Sequence, residues 1–223
     1  MASHVQPTEL TVTVPAHTVD LEGTLDVPAG ARGAVLFAHG SGSSRFSTRN
    51  RYVARTLREA GLATLLLDLL SSAEEQVDLV TRHLRFDIPL LASRLVNAID
   101  WLETNDGTAS LPVGLFGAST GGGAALVAAA ARPKRISAVV SRGGRPDLAG
   151  AALPDVRAPT LLLVGERDEV VIDLHEKARA QMTAPMELVI IPRATHLFEE
   201  PGALEQVATH ARDWFLRYLA PIP

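Results

Sequence analysis

The sequence predicts an α/β protein with one mostly parallel sheet of about eight strands and helices on both faces of the sheet. Two observations favour this class: short β-rich runs alternate with longer runs of helical periodicity, and most connections between them are short. In addition, the 223 residues contain no internal repeat and no linker rich in Pro, Gly or Ser. We therefore expect a single domain over residues 1–223.

The predicted strands are of two kinds. The first alternates apolar and polar side chains, and the second fits as its antiparallel partner at the sheet edge. The others are short apolar runs, typical of strands that are buried on both faces. In chain order the strands cover residues 10–14, 19–27, 34–38, 63–67, 113–116, 136–140, 160–164 and 187–191. No large insertion separates the sixth from the seventh, so we expect an open site without a large lid.

The runs between the strands repeat apolar residues at helical intervals. Gly61 ends the first predicted helix, and Pro133 stops a helix made of small residues. The predicted helices cover residues 51–60, 88–103, 122–131, 173–182 and 205–219. The polar stretch 71–85 leaves two alternatives open, a loop or a partly helical segment.

Charge and cysteine content exclude several classes of protein. The net charge is −4 and no cluster of Lys and Arg is present, so we expect no nucleic-acid partner and no membrane-binding arm. Without cysteine the chain has no disulfide, no thiolate nucleophile and no Cys-ligated metal. The first ten residues lack an apolar signal core, and the apolar runs are too short to span a bilayer. A soluble cytoplasmic protein is the expectation, with the oligomeric state left open.

The segment Gly117-Ala118-Ser119-Thr120-Gly121 is a G-x-S-x-G motif between a predicted strand and a predicted helix. This context is typical of a nucleophile elbow, a tight turn that lifts the Ser119 hydroxyl above the sheet. The two glycines keep side chains from colliding with the neighbouring strand and helix. The helix N-terminus favours negative charge beside the serine. Ser119 is therefore the predicted nucleophile.

A serine hydroxyl needs a base to remove its proton, and the base is typically a histidine oriented by a carboxylate. Asp168 follows the strand at 160–164 and His196 follows the strand at 187–191, in the chain order Ser, Asp, His that an elbow of this kind requires. Both lie just past strand ends, where open α/β sheets place their ligand sites. Together with Ser119 they form the predicted catalytic triad.

Alternatives to these two residues lie nearby. Glu166 and Glu169 stay open as the acid, although Asp168 falls at the usual turn position before an apolar pair. His175 and His210 fall within predicted helices, where we expect solvated or partly packed side chains.

Acyl transfer also needs two donors for the oxyanion. The backbone N–H of Thr120, directly after the nucleophile, is one candidate. The second is the N–H of Ser41 in the loop His39-Gly40-Ser41-Gly42, which follows the third strand. We expect His39 to brace this loop.

With these motifs in place, the chain resembles the α/β-hydrolase superfamily over nearly its whole length, and within it the small dienelactone-hydrolase-like group. The matching segments are residues 39–44, 117–121, 165–168 and 194–198. The resemblance implies the α/β-hydrolase fold and hydrolysis of a carboxylic ester or lactone without metal or organic cofactor. The dienelactone hydrolases that name the group use a cysteine nucleophile, whereas this chain has Ser119. We therefore expect carboxylesterase activity on small acyl esters.

Substrate contacts are predicted from four arginines. Arg142 and Arg145 follow a strand end, and Arg82 and Arg85 lie in the segment 81–87. Arg85 and Arg142, with Gly42, are the predicted substrate-binding residues, since an arginine fork can hold an anionic group. The alternative is that the arginines form surface ion pairs with Asp147 or Asp87.

Two other functions stay open beside the esterase. One is a thioesterase or acyltransferase that uses the same triad, because a fold does not decide among these reactions. The other is a catalytically silent protein of this fold that acts as a binding module.

Overall fold

The sheet is built from eight strands, in a computed structural model that describes residues 9–219. They are β1 (Leu10–Ala16), β2 (Val19–Asp26), β3 (Ala34–Ala38), β4 (Ala63–Leu67), β5 (Val113–Ala118), β6 (Ile136–Arg142), β7 (Thr160–Gly165) and β8 (Met186–Ile191). Each predicted strand corresponds to one of these, with the same ends for β3 and β4 and one end shifted by one or two residues for the others. Residues 1–8 and 220–223, which the single-domain prediction included, lie outside the described residues.

The strand order across the sheet is β1-β2-β4-β3-β5-β6-β7-β8. β2 is antiparallel to both β1 and β4, and the remaining neighbours are parallel. The prediction of a mostly parallel sheet is therefore confirmed. The chain adds β4 on one side of β3 and β5 on the other, which makes the carboxyl ends of β3 and β5 a topological switch point, the usual place for a ligand site.

Six α-helices cover the sheet on both of its faces; five correspond to predicted helices, and the sixth, α2, lies in the stretch 71–85 that the sequence left open. They are α1 (Thr48–Glu59), α2 (Ser72–Thr81), α3 (Ile88–Thr104), α4 (Thr120–Ala131), α5 (Glu169–Arg179) and α6 (Ala203–Tyr218). Alternate residues of each central strand point to opposite faces. In β3, Leu36 packs with the cluster that includes α3 and α4, whereas Phe37 packs with α1 and α6.

Four helices, α1, α4, α5 and α6, begin two to four residues earlier than predicted, and the changes in α4 and α5 concern the triad. α4 begins at Thr120, directly after Ser119, and α5 begins at Glu169, directly after Asp168. The prediction missed these first turns because the glycines of α4 and the β-branched run Val170-Val171-Ile172 of α5 do not favour a helix. Ser119 and Asp168 therefore sit at helix N-termini.

The polar stretch 71–85 is mostly helical. α2 is fixed by a capping box, in which the Ser71 hydroxyl accepts from the Glu74 N–H and the Glu74 carboxylate accepts from the Ser71 N–H. A short 3₁₀ segment, Leu84–Phe86, follows it.

The connection between β6 and β7 contains a second 3₁₀ segment, Pro146–Asp155, which the sequence did not predict. It packs against α4 and α5 without forming a large lid, as expected. Among the residues that the structure describes, no helix is both long and apolar enough to cross a membrane.

Candidate active site

Ser119 lies in the turn between β5 and α4 with a left-handed backbone, φ 50° and ψ −122°. This conformation is costly for a residue with a side chain and persists only where the surroundings enforce it. Here the Ser119 N–H donates to the Arg142 carbonyl at 3.3 Å, and its own carbonyl accepts from the Arg145 N–H at 3.0 Å. The end of β6 therefore holds the nucleophile turn in place.

The glycines of the motif allow backbones to approach closely. A Cβ on Gly117 would lie 2.5 Å from the Gly121 carbonyl oxygen. A Cβ on Gly121 would lie 2.4 Å from the Ala38 carbonyl oxygen at the end of β3. Both distances are far below van der Waals contact. Glycine at 117 therefore lets the turn close against the start of α4, and glycine at 121 lets α4 approach the end of β3.

The three predicted triad residues meet at the carboxyl edge of the sheet. His196 Nδ1 lies 2.6 Å from Asp168 Oδ2, and His196 Nε2 lies 3.3 Å from Ser119 Oγ. The imidazole thus lies between hydroxyl and carboxylate, in an arrangement in which Nδ1–H donates to Asp168 and Nε2 faces the serine. The acid side chain is 15% exposed and the imidazole is 37% exposed, so the histidine borders solvent while its orienting carboxylate is shielded.

The neighbouring glutamates do not take this position. Glu166 Oε2 accepts from the Arg193 N–H at 2.6 Å and so braces the loop after β8. Glu169 is an exposed residue of the first turn of α5. Of the three acids considered, Asp168 is the one in contact with His196.

The two predicted oxyanion donors border a single cavity, lined by Ser41 and Thr120 among other residues. Thr120 is the first residue of α4, so its N–H has no carbonyl partner within the helix. Ser41 lies in the glycine-containing loop after β3, between Gly40 and Gly42.

His39 braces this loop, as expected. Its Nε2 accepts from the Leu69 N–H at 3.1 Å, and its Nδ1 lies 2.9 Å from the Gly40 carbonyl oxygen. The first contact requires a bare Nε2, so the second requires a proton on Nδ1. Burial lowers the pKa of the His39 imidazole and favours this neutral form.

Two adjoining cavities lie beside the triad and share Gly40, Ser41 and Ser43. The first, the α2 cleft, extends below α2 towards Leu69, Leu79 and Arg85. The second, the arginine pocket, is lined by Ser119 and His196 and by Ser47, Arg49, Asn50 and Arg142. Gly42 lines the α2 cleft, so all three predicted substrate-binding residues border one cavity or the other.

The arginines differ in their partners. Arg85 donates through Nε to Asp78 at 2.5 Å, not to Asp87, which instead caps α3. The predicted Asp87 pair is therefore wrong, because Asp78 of α2 faces Arg85 once that stretch is helical. Arg145 binds both oxygens of Asp147, at 2.8 and 2.7 Å, as the ion-pair alternative predicted.

Arg142 has no such partner. Its side chain is buried, with the whole residue 6% exposed, and its Nε has no hydrogen-bond partner among the described residues. The guanidinium lies 5.8 Å from the centre of the Phe198 ring.

The two histidines predicted to lie in helices, His175 and His210, differ in how far they are buried. His175 is fully buried in α5 and its Nδ1 contacts the Val171 carbonyl at 2.7 Å, so the expectation of a solvated or partly packed side chain was wrong for this residue. His210 lies partly buried on α6.

A model of the dienelactone hydrolase family matches residues 21–220. The chain belongs to the dienelactone hydrolase family. This agrees with the resemblance inferred from its motifs and with its fold. A dienelactone hydrolase from Anabaena variabilis has a crystal structure that matches with a TM-score of 0.95 and 65% sequence identity, covering 96% of this chain and 99% of that one.

Other similar proteins extend this picture. Est1E from Butyrivibrio proteoclasticus has the same fold, with a TM-score of 0.78 at 18% identity, over 95% of this chain and 99% of that one. Two proteins from strains of Mycobacterium tuberculosis are 59% identical over 208 residues and bear the name phosphoribosyl transferase. The match covers 93% of this chain but 46% of those proteins, so the chain spans about half of their length.

Sequence reasoning missed Arg49 and Asn50 of the arginine pocket. The predicted helix began at residue 51, which left both in a loop, whereas α1 begins at Thr48. The available signal was Ser47, whose hydroxyl accepts from the Asn50 N–H as a helix N-cap. With α1 beginning at Thr48, its first turn borders the arginine pocket.

Proposed function

We propose that this dienelactone hydrolase family member is a serine hydrolase that cleaves carboxylic esters or lactones of small substrates through an acyl-enzyme on Ser119. The observation that carries the proposal is the chain of contacts from Asp168 to His196 at 2.6 Å and from His196 to Ser119 at 3.3 Å. Nucleophile, base and orienting acid are within or close to hydrogen-bond reach, which is the geometry that nucleophilic catalysis requires.

In the first half of the reaction, Ser119 Oγ attacks the carbonyl carbon while His196 Nε2 accepts its proton. Asp168 keeps the other ring nitrogen protonated and stabilises the imidazolium. The negative charge on the carbonyl oxygen is stabilised by the N–H groups of Thr120 and Ser41. The imidazolium then protonates the departing alkoxide, and the acyl group remains on Ser119.

In the second half, His196 removes a proton from water, which attacks the acyl carbon. The imidazolium then gives this proton to Ser119 Oγ as the bond to the acyl carbon breaks and the acid is released. A lactone follows the same course, except that the departing alkoxide stays attached to the acyl group, so hydrolysis releases a single hydroxy acid. The chain's own residues supply every proton transfer in this cycle, and the substrate is a small-molecule ester.

A thioesterase or acyltransferase would use the same steps with a different leaving group or acceptor. The name of the mycobacterial relatives does not favour a further function for this segment, because those proteins are more than twice as long as the matching region. The family model that matches residues 21–220 supports a hydrolase.

The test is hydrolysis of 4-nitrophenyl esters from acetate to decanoate by the native protein and by Ser119→Ala. We expect kcat to fall by at least about 10⁴-fold in the variant. A fluorophosphonate should label the native protein and not the variant. Ser93→Ala is the matched control, because this hydroxyl donates to the Leu90 carbonyl on α3, away from the site. Equal rates for the native protein and Ser119→Ala, with no labelling, would contradict the proposal and favour a binding module.

A further inference from the structure

The helix α2 buries no apolar side chain. It carries three large ones, Val77, Leu79 and Val80, and these are 51%, 59% and 85% exposed. Its one buried residue is a charged one, Asp78, which binds the 3₁₀ segment that follows the helix. The hydrophobic effect therefore does little to hold α2 on the body of the protein, and elements of this kind are the ones that move most easily.

One ion pair ties α2 to the core. The Glu74 carboxylate accepts from Arg94 of α3 at 2.6 Å, while its other oxygen accepts from the Ser71 N–H at 2.8 Å in the capping box. Arg94 is 4% exposed and also donates to the Ala16 carbonyl at the end of β1, so its guanidinium is fixed within the fold. Among the side-chain hydrogen bonds and ion pairs that residues 71–86 make within the described chain, this is the one that leaves the segment. The Glu74–Arg94 pair therefore fixes where α2 lies.

The α2 cleft lies between this helix and the core. Four leucines line it: Leu79 of α2, Leu69 and Leu70 of the chain after β4, and Leu91 of α3. An apolar group in the cleft would contact leucines from both the helix and the core. It would also cover Leu79, a large apolar side chain that is otherwise more than half exposed.

The position of the predicted oxyanion donors indicates which part of an ester enters the α2 cleft. Thr120 and Ser41 both border this cleft, whereas His196 lines the arginine pocket. In the proposed reaction the carbonyl oxygen meets the two N–H groups, and the leaving alkoxide must lie near His196 to receive its proton. The acyl chain is attached to the same carbonyl carbon and then continues into the α2 cleft.

We propose that α2 is a movable wall of the acyl subsite, that the Glu74–Arg94 ion pair holds it in place, and that it closes on acyl chains long enough to reach Leu79. The inference rests on the proposed function, because it takes the acyl-enzyme on Ser119 as given. The substrate class that fits is an ester of an aliphatic acid, whose methylene groups pack against the leucines of the cleft. Glu74 and Arg94 line neither cavity and are positioning residues, which act through the position of Leu79.

The kinetic test compares 4-nitrophenyl hexanoate with 4-nitrophenyl acetate, whose acyl group ends one carbon beyond the reacting carbonyl. The measured quantity is the ratio of kcat/KM for the hexanoate to that for the acetate. An effect on the triad alone changes both esters alike and leaves this ratio unchanged. In Leu79→Ala we expect the ratio to fall about three- to tenfold, because the hexanoyl chain loses an apolar contact.

Glu74→Gln and Arg94→Met test the ion pair. A glutamine has a single carbonyl oxygen, so it can keep the bond to the Ser71 N–H but not the ion pair as well, and Arg94→Met leaves the capping box intact. We expect each variant to lower the ratio about three- to tenfold, and the double variant to lower it no further, because both changes remove the same contact. The matched control is Asp100→Asn, which breaks the ion pair of α3 with Arg132 and should leave the ratio unchanged.

Amide hydrogen exchange over residues 72–81 measures the movement of α2 directly. Exchange should be faster in Glu74→Gln and in Arg94→Met than in the native protein, and unchanged in Asp100→Asn. In the native protein it should be slower after Ser119 has reacted with 4-nitrophenyl ethyl hexylphosphonate than after reaction with the corresponding methylphosphonate, because the longer chain alone reaches Leu79.

The outcomes separate the inference from the proposed function. If esters are cleaved and Ser119 is labelled, but every variant has the native ratio and the two phosphonates give equal exchange, the inference is wrong and the proposed function stands. A fall of the ratio in Asp100→Asn as large as in Glu74→Gln would also overturn the inference. If no ester is cleaved and Ser119 is not labelled, the proposed function is wrong. Exchange over residues 72–81 with added hexanoate or acetate then decides the inference: slower exchange with hexanoate supports it, and equal exchange contradicts it.

Discussion

The Leu69 N–H donates to His39 Nε2 at 3.1 Å, and this bond ties the loop after β3 to the chain that leaves β4. His39 immediately precedes Gly40 and Ser41, so the position of the Ser41 N–H depends on an imidazole that itself faces no reacting atom. The predicted oxyanion donor, the Ser41 N–H, and the adjoining strand are in this way coupled through one neutral side chain.

His39→Leu should lower kcat for ester hydrolysis by about tenfold, because the Ser41 N–H is no longer held in place. The buried Leu69 N–H also loses its acceptor, which should reduce the free energy of unfolding by about 1–3 kcal/mol. Steady-state kinetics and urea denaturation measure the two effects. His83→Leu, which changes an exposed histidine, is the control and should alter neither quantity. A variant with native kcat would show that Ser41 does not depend on this brace.

The stability of the protein should fall with acid below about pH 6.5, the usual pKa of an unfolded histidine. Burial, more than any other cause, lowers the pKa of His39 and of His175 in the folded chain. The folded state therefore stays neutral at these residues while the unfolded state binds protons, so acid favours unfolding and the contribution is fully present only above this pH. Urea denaturation at pH 7.5, 6.5 and 5.5 measures the slope. His175→Gln should make it shallower, and an identical slope in that variant would count against the explanation.

Much of the site could be predicted because it depends on chain order. The G-x-S-x-G motif between a strand and a helix, an acid after the next-to-last strand and a histidine after the last strand are local signals. The structure brings Ser119, Asp168 and His196 together, as a parallel sheet requires of residues that follow its strand ends.

The partners of the arginines could not be predicted, because they depend on contacts that no local pattern encodes. Asp87 is close to Arg85 in sequence, but α2 is helical and its Asp78 accepts from Arg85 instead. Arg142 and Arg145 are three residues apart, and only the packing of β6 decides which of them is buried and which meets an aspartate. The 3₁₀ segment Pro146–Asp155 lacks an apolar period long enough to be recognised.

Asp168→Asn should reduce kcat by about 10⁴-fold with little change in KM, because an amide cannot hold the protonated ring nitrogen of His196 in the same tautomer. Glu166→Gln is the matched control two positions earlier. Its new side chain can still accept from the Arg193 N–H, so we expect less than about a twofold change. Nitrophenyl ester kinetics on both variants give the comparison. If Glu166→Gln were the more damaging change, the acid of the triad would have been misassigned.

Gly121→Ala should destabilise the protein more than Gly150→Ala. A Cβ at residue 121 would collide with two carbonyl oxygens, those of Ala38 and His39, at 2.4 and 2.5 Å. Gly150 has a positive φ of 48° but nothing within 4 Å of an added Cβ, so its substitution costs backbone strain alone, about 1 kcal/mol. Urea denaturation should give the Gly121 variant a free energy of unfolding at least about 2 kcal/mol below that of the native protein, or show that the variant does not fold. Equal losses would mean that the loop after β3 can move away from the nucleophile turn.

The bond from the Ser119 N–H to the Arg142 carbonyl makes one residue serve two purposes. The backbone of Arg142 fixes the nucleophile, and its side chain lines the pocket beside it. Adjacent strands are separated by about 4.8 Å, a spacing that the sheet does not easily change. The turn at Ser119 and this wall of the pocket therefore cannot shift independently of one another. A substitution that displaces the end of β6 would disturb both at once.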